Sequence, residues 1–151
     1  MPKFKVRPCK HRDVAKFSPL ARAYWKFERI RGFRPKKHER LITKILKNPY
    51  LGRVWVAEEG NRPIGYLVVA FLMSLEYGGI SCEIDELYVD RPERGRGVGK
   101  ALLQAAEKSL SRQRMTQISL RVGKSNRAAI RFYQNLGFRK RKEYLVMDRK
   151  G

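Results

Sequence analysis

Ile84-Asp85-Glu86-Leu87-Tyr88-Val89-Asp90-Arg91-Pro92-Glu93-Arg94-Gly95-Arg96-Gly97-Val98-Gly99-Lys100-Ala101-Leu102-Leu103 reads as a strand, a glycine-rich basic turn and the start of an apolar helix. Gly95, Gly97 and Gly99 leave the turn without side chains, so backbone N–H groups can point at an anion. The helix behind the turn adds the positive end of its dipole. Arg94, Arg96 and Lys100 add full charges. Such a loop is expected to bind phosphate, and a pyrophosphate is the expected form. It is not a P-loop, because the first glycine would fall on Arg94 and the hydroxyl on Ala101. Nor is it a dinucleotide fingerprint, because the third glycine would fall on Lys100 or Leu102.

What remains is Arg94-x-x-Gly97-x-Gly99, and a second motif lies downstream. Ser125 can cap a helix, and Ala129, Phe132 and Leu136 follow at the spacing of a buried stripe. Gly137 can end that helix before Phe138. Together the loop and the run from Asn126 through Ala129 and Tyr133 to Gly137-Phe138 resemble the two coenzyme segments of the GCN5-related N-acetyltransferase superfamily. The resemblance covers roughly residues 53–149.

It implies an acetyl-CoA-dependent N-acetyltransferase, with acetyl-CoA as co-substrate. By the same resemblance the coenzyme lies along Leu87, Tyr88 and Val89. It also contacts Arg94, Gly95, Arg96, Gly97, Val98, Gly99 and Lys100, together with Asn126 and Tyr133. A backbone N–H near Tyr88 or Val89 would face the oxyanion, and Tyr133 would return a proton to the departing thiolate.

Direct attack on a thioester needs a neutral amine, and an alkylamine has a pKa of about 10.4. A proton acceptor is therefore required. Glu83, Asp85 and Glu86 are the candidates on the strand before the loop. In a regular strand Glu83 and Asp85 share a face and Glu86 takes the other. A bulge would change this, and the family usually has one here. The resemblance favours Glu86 as base, then Glu83. Cys82 offers an acyl-carrying nucleophile, which direct attack does not need.

Pattern along the chain predicts a single α/β domain over 1–151 with a mixed sheet, and the resemblance implies a mostly antiparallel sheet with helices on both faces. Helices are expected from Asp13 to about Ile30, from Lys36 to Lys47, from Gly97 to Arg112 and after Asn126. Strands are expected at Phe4–Arg7, Arg53–Glu59, Pro63–Leu75, Ser81–Val89 and Gln117–Val122. Two more are expected near Phe138–Arg141 and Glu143–Asp148. The longest apolar stretch, Ile64–Leu75, is too short to cross a bilayer, so no membrane partner is expected. No apolar run follows the charged Met1–Lys10 segment, so no secretory signal is read there. Cys9 and Cys82 have no metal spacing and suit a reducing, cytoplasmic setting; no metal ligand set is visible. His11 and His38 look isolated and without function.

Charge is the remaining feature. The net value is +21. Residues 1–50 hold 16 Lys and Arg against 3 acids, residues 51–93 hold 3 against 8, and residues 94–151 hold 16 against 3. A basic N-terminal flank with no phosphate loop to serve suggests a surface for an acidic macromolecule or nucleic acid. Two functions fit: an enzyme acetylating a primary amine by direct attack, or a weakly catalytic module of the same fold docking on RNA or the ribosome. For the enzyme the acceptor is open among a protein N-terminus, a lysine, a polyamine, an aminoglycoside and a small metabolite, and the net charge favours a protein or peptide amine over a free polyamine.

Overall fold

Each strand of the sheet lies beside its neighbour in sequence, so the layout follows chain order. The computed structural model describes residues 3–151; the reading of the first ten residues therefore rests in part on Met1 and Pro2, which lie outside them. The chain runs β1 (Lys5–Pro8), a 3-10 turn (His11–Asp13), α1 (Val14–Phe27) and α2 (Pro35–Lys47). Then come β2 (Gly52–Glu59), β3 (Arg62–Ser74), β4 (Gly79–Val89) and a second 3-10 turn (Arg91–Glu93). After these follow α3 (Val98–Ser111), β5 (Ile118–Leu120) and α4 (Arg127–Asn135). β1 to β4 pair antiparallel, and β5 joins β4 in parallel. A parallel neighbour needs a crossover, which α3 supplies. Two compact units result: Met1–Arg121, which holds the sheet, and Val122–Gly151, which holds α4.

Alternation on β3 explains why helices cover both faces. Tyr66 stacks on Phe17 of α1, with ring centroids 4.8 Å apart. Its neighbour Gly65 points the other way, where a Cβ would come within 3.3 Å of Val98 and Leu102 on α3. Under α1 and α2 the core is Phe17, Leu20, Ile42, Val54, Val56, Tyr66, Val68 and Tyr88. On the opposite face α3 buries Leu102, Leu103, Ala106 and Leu110, the helical stripe its sequence announces. Each buried leucine contributes roughly 1.5–3 kcal/mol.

Local chemistry sets the element ends. Pro35 opens α2 at a position where the missing N–H costs nothing. α1 stops at Phe27, short of Ile30, because Arg29 turns left-handed (φ 57°) and the Ile30 N–H donates back to the Trp25 carbonyl at 2.8 Å. Asp13 stands at the start of α1, but its carboxylate is used otherwise. It accepts two bonds from the Arg7 guanidinium (2.7 and 2.8 Å) and one from the Lys10 N–H (2.7 Å). Arg7 also reaches Glu58 on β2, at 2.9 and 3.0 Å. One guanidinium thus ties β1 to β2 and to the entry of α1.

The last two expected strands do not form. Among the described residues, 138–141 and 143–148 make no ladder. Their pattern does not alternate: five charged residues, 139–143, run straight into four apolar ones, 144–147. Arg141 Nε donates to Glu143 Oε1 at 2.7 Å across a turn, and Leu145 and Met147 are exposed. No helix of the described residues is long and apolar enough to cross a membrane.

Candidate active site

The basic loop folds as its glycines require. Gly95 and Gly97 have φ of 80° and 81°, in the left-handed region where a side chain is strained. Gly97 is the N-cap of α3, and the first helical bond runs from the Ala101 N–H to its carbonyl at 3.0 Å. Helix geometry therefore leaves the N–H groups of Val98, Gly99 and Lys100 without carbonyl partners inside the helix. They form an anion cradle at the positive end of a 14-residue helix. The donor set fits a pyrophosphate.

The arginines divide the work. Arg94 Nε donates to the Val89 carbonyl at 3.0 Å, and its guanidinium lies over the rings of Phe27 and Tyr88 at 5.1 and 5.2 Å. It ties the end of β4 to the loop. Arg96 turns back to Glu59, at 3.0 Å, and to Glu93. Its positive charge is spent within the protein, so the loop gains from its backbone rather than its guanidinium. Arg62 joins this cluster through Glu93 at 2.8 Å. Lys100 is exposed.

β4 carries a bulge beside the acids. Glu86 pairs with Val68 and Ile84 pairs with the next residue, Val69, which leaves Asp85 as the extra residue. Glu83 faces Ala70 and Glu86 faces Val68, so both lie on the α1–α2 side of the sheet. Regular alternation had set them on opposite faces. Beyond Ile84 the edge of β4 has no ladder with β5, whose pairing covers Cys82–Ile84 alone. Leu87, Tyr88 and Val89 lie on that open stretch.

The three acids have different surroundings. Glu86 is buried and fully engaged. Its Oε2 accepts from Trp25 Nε1 at 2.6 Å, and its Oε1 accepts from the Tyr66 hydroxyl at 3.0 Å and lies 2.7 Å from His38 Nε2. A carboxylate can only accept, so the imidazole hydrogen sits on Nε2. Burial, then the Glu86 charge, raises the Tyr66 phenol far above its ordinary value, so it stays a neutral donor. Glu83 pairs with Arg121 at 2.9 Å. Asp85 is in no ion pair among the described residues and its side chain reaches solvent. Crowding of its carboxyl by protein, then the charges of Glu86 and Glu83, raises its pKa, against smaller opposing effects of Arg121 and His38. Tyr24 of α1 approaches its carbonyl at 3.5 Å.

Asn126 and Tyr133 belong to the second unit. Asn126 caps α4, its Oδ1 accepting from the Ala129 N–H at 3.2 Å. Ser125, the expected cap, lies one residue earlier. Tyr133 stands on α4 between the rings of Phe132 and Phe138, at 5.1 and 5.5 Å. Cys82 is buried, and burial pushes its thiol up to about 11, which disfavours a nucleophilic thiolate.

Comparison with known proteins decides the family. The model of the acetyltransferase (GNAT) family matches residues 17–138. This chain belongs to the GNAT family. Its GNAT relatives include an uncharacterized N-acetyltransferase of Methanocaldococcus jannaschii, 32% identical over 119 residues, which cover 74% of this chain and 52% of that protein. Rat N-acetyltransferase family 8 member 2 is 31% identical over 105 residues, 70% of this chain and 46% of that one. The chain spans about half the length of the curated relatives it matches. A predicted acetyltransferase of Clostridium acetobutylicum, solved with acetyl-CoA, superposes with a TM-score of 0.80 at 22% identity, covering 96% of each chain, which establishes the shared fold.

Within this GNAT site, sequence reading missed the partners of Glu86. His38 looked isolated, yet it is buried on Glu86 from 48 residues away. One signal was present: His38 precedes Ile42 and Ile45 at i, i+4 and i+7, so it occupies the apolar stripe of α2. Trp25 and Tyr66 carried no comparable mark.

Proposed function

We propose that this GNAT chain is an acetyl-CoA-dependent N-acetyltransferase of one functional domain, acting on a primary amine of a protein or peptide in the cytoplasm. The observation that carries this reading is the placement of an anion cradle at one end of β4 and an uncommitted acid, Asp85, at its bulge. Bound acetyl-CoA supplies the acyl thioester. The N–H groups of Val98, Gly99 and Lys100 hold its pyrophosphate, and the open edge of Leu87, Tyr88 and Val89 receives its arm. Asp85 takes the ammonium proton directly or through water, its raised pKa bringing it nearer neutrality. Glu86, with all three donors in place, holds a fixed negative charge beneath it and orients α1 and α2. Glu83 contributes charge from its pair with Arg121. Tyr133 of α4 donates the proton to the thiolate.

Charge supports a macromolecular acceptor. A free polyamine approaching a +21 protein is slowed by long-range repulsion. A polypeptide that brings its own acidic residues is not. The two buried thiols, both free, suit a reducing compartment. A screen of peptide, lysine, polyamine and aminoglycoside amines with acetyl-CoA, read by thiol release, tests the reading. Turnover is expected with peptide amines. Coenzyme binding without turnover on any amine would favour the docking module instead.

A further inference from the structure

The connection between α1 and α2 carries a row of cations around an aromatic residue, Phe33, that packs on side chains holding Glu86. Over residues 26–37 there are six Lys and Arg and one acid, Glu28. Arg29, Arg31, Arg34 and Lys37 are exposed and in no ion pair among the described residues. They are not spread along a free tail. Phe33 sits in their midst with its ring 5.3 Å from Trp25 and 5.5 Å from His38, two of the three side chains that hold Glu86. Arg22 of α1 lies over the same ring at 5.2 Å. At the near end, left-handed Arg29 ends α1; at the far end, Pro35 starts α2. The segment is thus pinned by an aromatic anchor to the Trp25–His38–Glu86 cluster, and in sequence Arg31 and Arg34 flank the anchor on either side. Three arginines elsewhere in the fold show the contrast. Arg7, Arg62 and Arg96 each meet carboxylates within the fold. These four do not.

We infer that the α1–α2 connection is a specificity element: the acceptor is a polypeptide amine followed closely by acidic residues. The ammonium meets Asp85, while the carboxylates that follow it meet Arg29, Arg31, Arg34 and Lys37. The recognised pattern is positive at the reacting nitrogen and negative next to it. A polyamine, positive throughout, fails the second half, and a nucleic acid, with no amine of ordinary basicity, fails the first. This deepens the N-acetyltransferase reading and rests on it.

Three peptides of equal length test it, with the N-terminal residue followed by Asp-Glu, Ser-Gly or Lys-Arg. Their kcat/KM is measured with acetyl-CoA by thiol release, in the wild type and in an Arg31→Glu/Arg34→Glu variant. The acidic peptide is expected to exceed the neutral one by on the order of 10-fold at low salt, with the basic one slowest. The variant should invert this order while binding coenzyme normally by calorimetry. A control reversal at the C-terminal end of α3, Lys108→Glu with Arg112→Glu just beyond it, should leave the order intact. Equal kcat/KM for all three peptides overturns the inference and leaves the acetyltransferase reading standing. No turnover of any peptide, with coenzyme bound, overturns both. If a single-stranded RNA oligonucleotide binds more tightly than the acidic peptide, and the Arg31→Glu/Arg34→Glu variant loses that binding, the surface belongs to nucleic acid and the inference falls.

Discussion

Asp85 owes its availability to being one residue too many. The bulge lets Glu86 turn beneath α1 and α2, where three donors claim it, and leaves Asp85 with solvent on one side and two acids close by. Two substitutions separate their roles. Asp85→Asn should keep the fold and coenzyme affinity and lower kcat by about 10²-fold, the usual worth of a proton acceptor. Its acidic kcat/KM limb, expected above the ordinary aspartate value near ~3.9, should disappear. Glu86→Gln should instead destabilise. An amide presents N–H to at least one of Trp25 and His38, and a buried donor without an acceptor costs about 1–3 kcal/mol. A stable Glu86→Gln protein with kcat lowered more than that of Asp85→Asn would return the base to Glu86. Tyr133→Phe should retain coenzyme affinity and reduce turnover by about 10²-fold if the phenol is the acid; wild-type rates would leave it to packing with Phe132 and Phe138. The identity of these candidates was legible in sequence, because acids, glycines and a tyrosine stood at recognisable spacings. Their division of labour was not. A bulge shifts every later side chain to the other face, and no local signal in 83–86 announces it.

At the level of elements, the loop between β4 and α3 is the best-specified piece of the molecule. Gly97 is left-handed and caps a long helix, so Gly97→Val imposes backbone strain of about 1–3 kcal/mol just where N–H groups must converge. Coenzyme affinity by calorimetry should fall at least 10-fold in a protein that remains folded; unchanged affinity would remove the pyrophosphate from this turn. A Cβ at Gly97 meets nothing within 4 Å in the protein itself, so the expected loss comes from conformation and from the ligand's approach, with no internal clash. The junction of β1, β2 and α1 gives a pH prediction. The Arg7 guanidinium, helped by the Lys10 N–H and opposed by burial, holds Asp13 down to about 2. An unfolded aspartate titrates near ~3.9, so the folded protein binds fewer protons in between. The pair's stabilisation is complete above that value and is lost as pH falls toward 2, by about 1–2 kcal/mol after allowance for solvent screening. Thermal melts from pH 5 to pH 2 should show the loss, and Arg7→Met should flatten this part of the curve. Helix and strand positions were read well wherever periodicity was strong. The failures were 138–141 and 143–148, where apolar and charged residues come in blocks and pairing would have to be supplied by another strand.

Taken whole, the molecule's charge is arranged rather than merely large. Acids of the middle segment are met by arginines from both flanks, as in the Arg7 and Arg96 clusters, while Arg29, Arg31, Arg34 and Lys37 of the α1–α2 connection are in no ion pair among the described residues. Raising salt from 0.05 to 0.5 M shortens the screening length several-fold, so kcat/KM for a macromolecular acceptor should fall while that for a small neutral amine holds. A much higher kcat/KM for free spermine than for any peptide would defeat the argument from net charge. The sequence alone determined the family and the fold class, because a glycine-rich turn after a strand and a capped helix before Gly137-Phe138 are local patterns, each written within about twenty consecutive residues. It also determined the faces of α3, whose apolar spacing needs no partner to be read. Tertiary structure alone decided that Glu86 is held by Trp25, His38 and Tyr66, that Arg96 serves Glu59 and Glu93, and that Asp85 stands apart. Those contacts join residues up to 61 positions apart, and hydrogen bonds across such separations leave no periodicity in the chain that makes them.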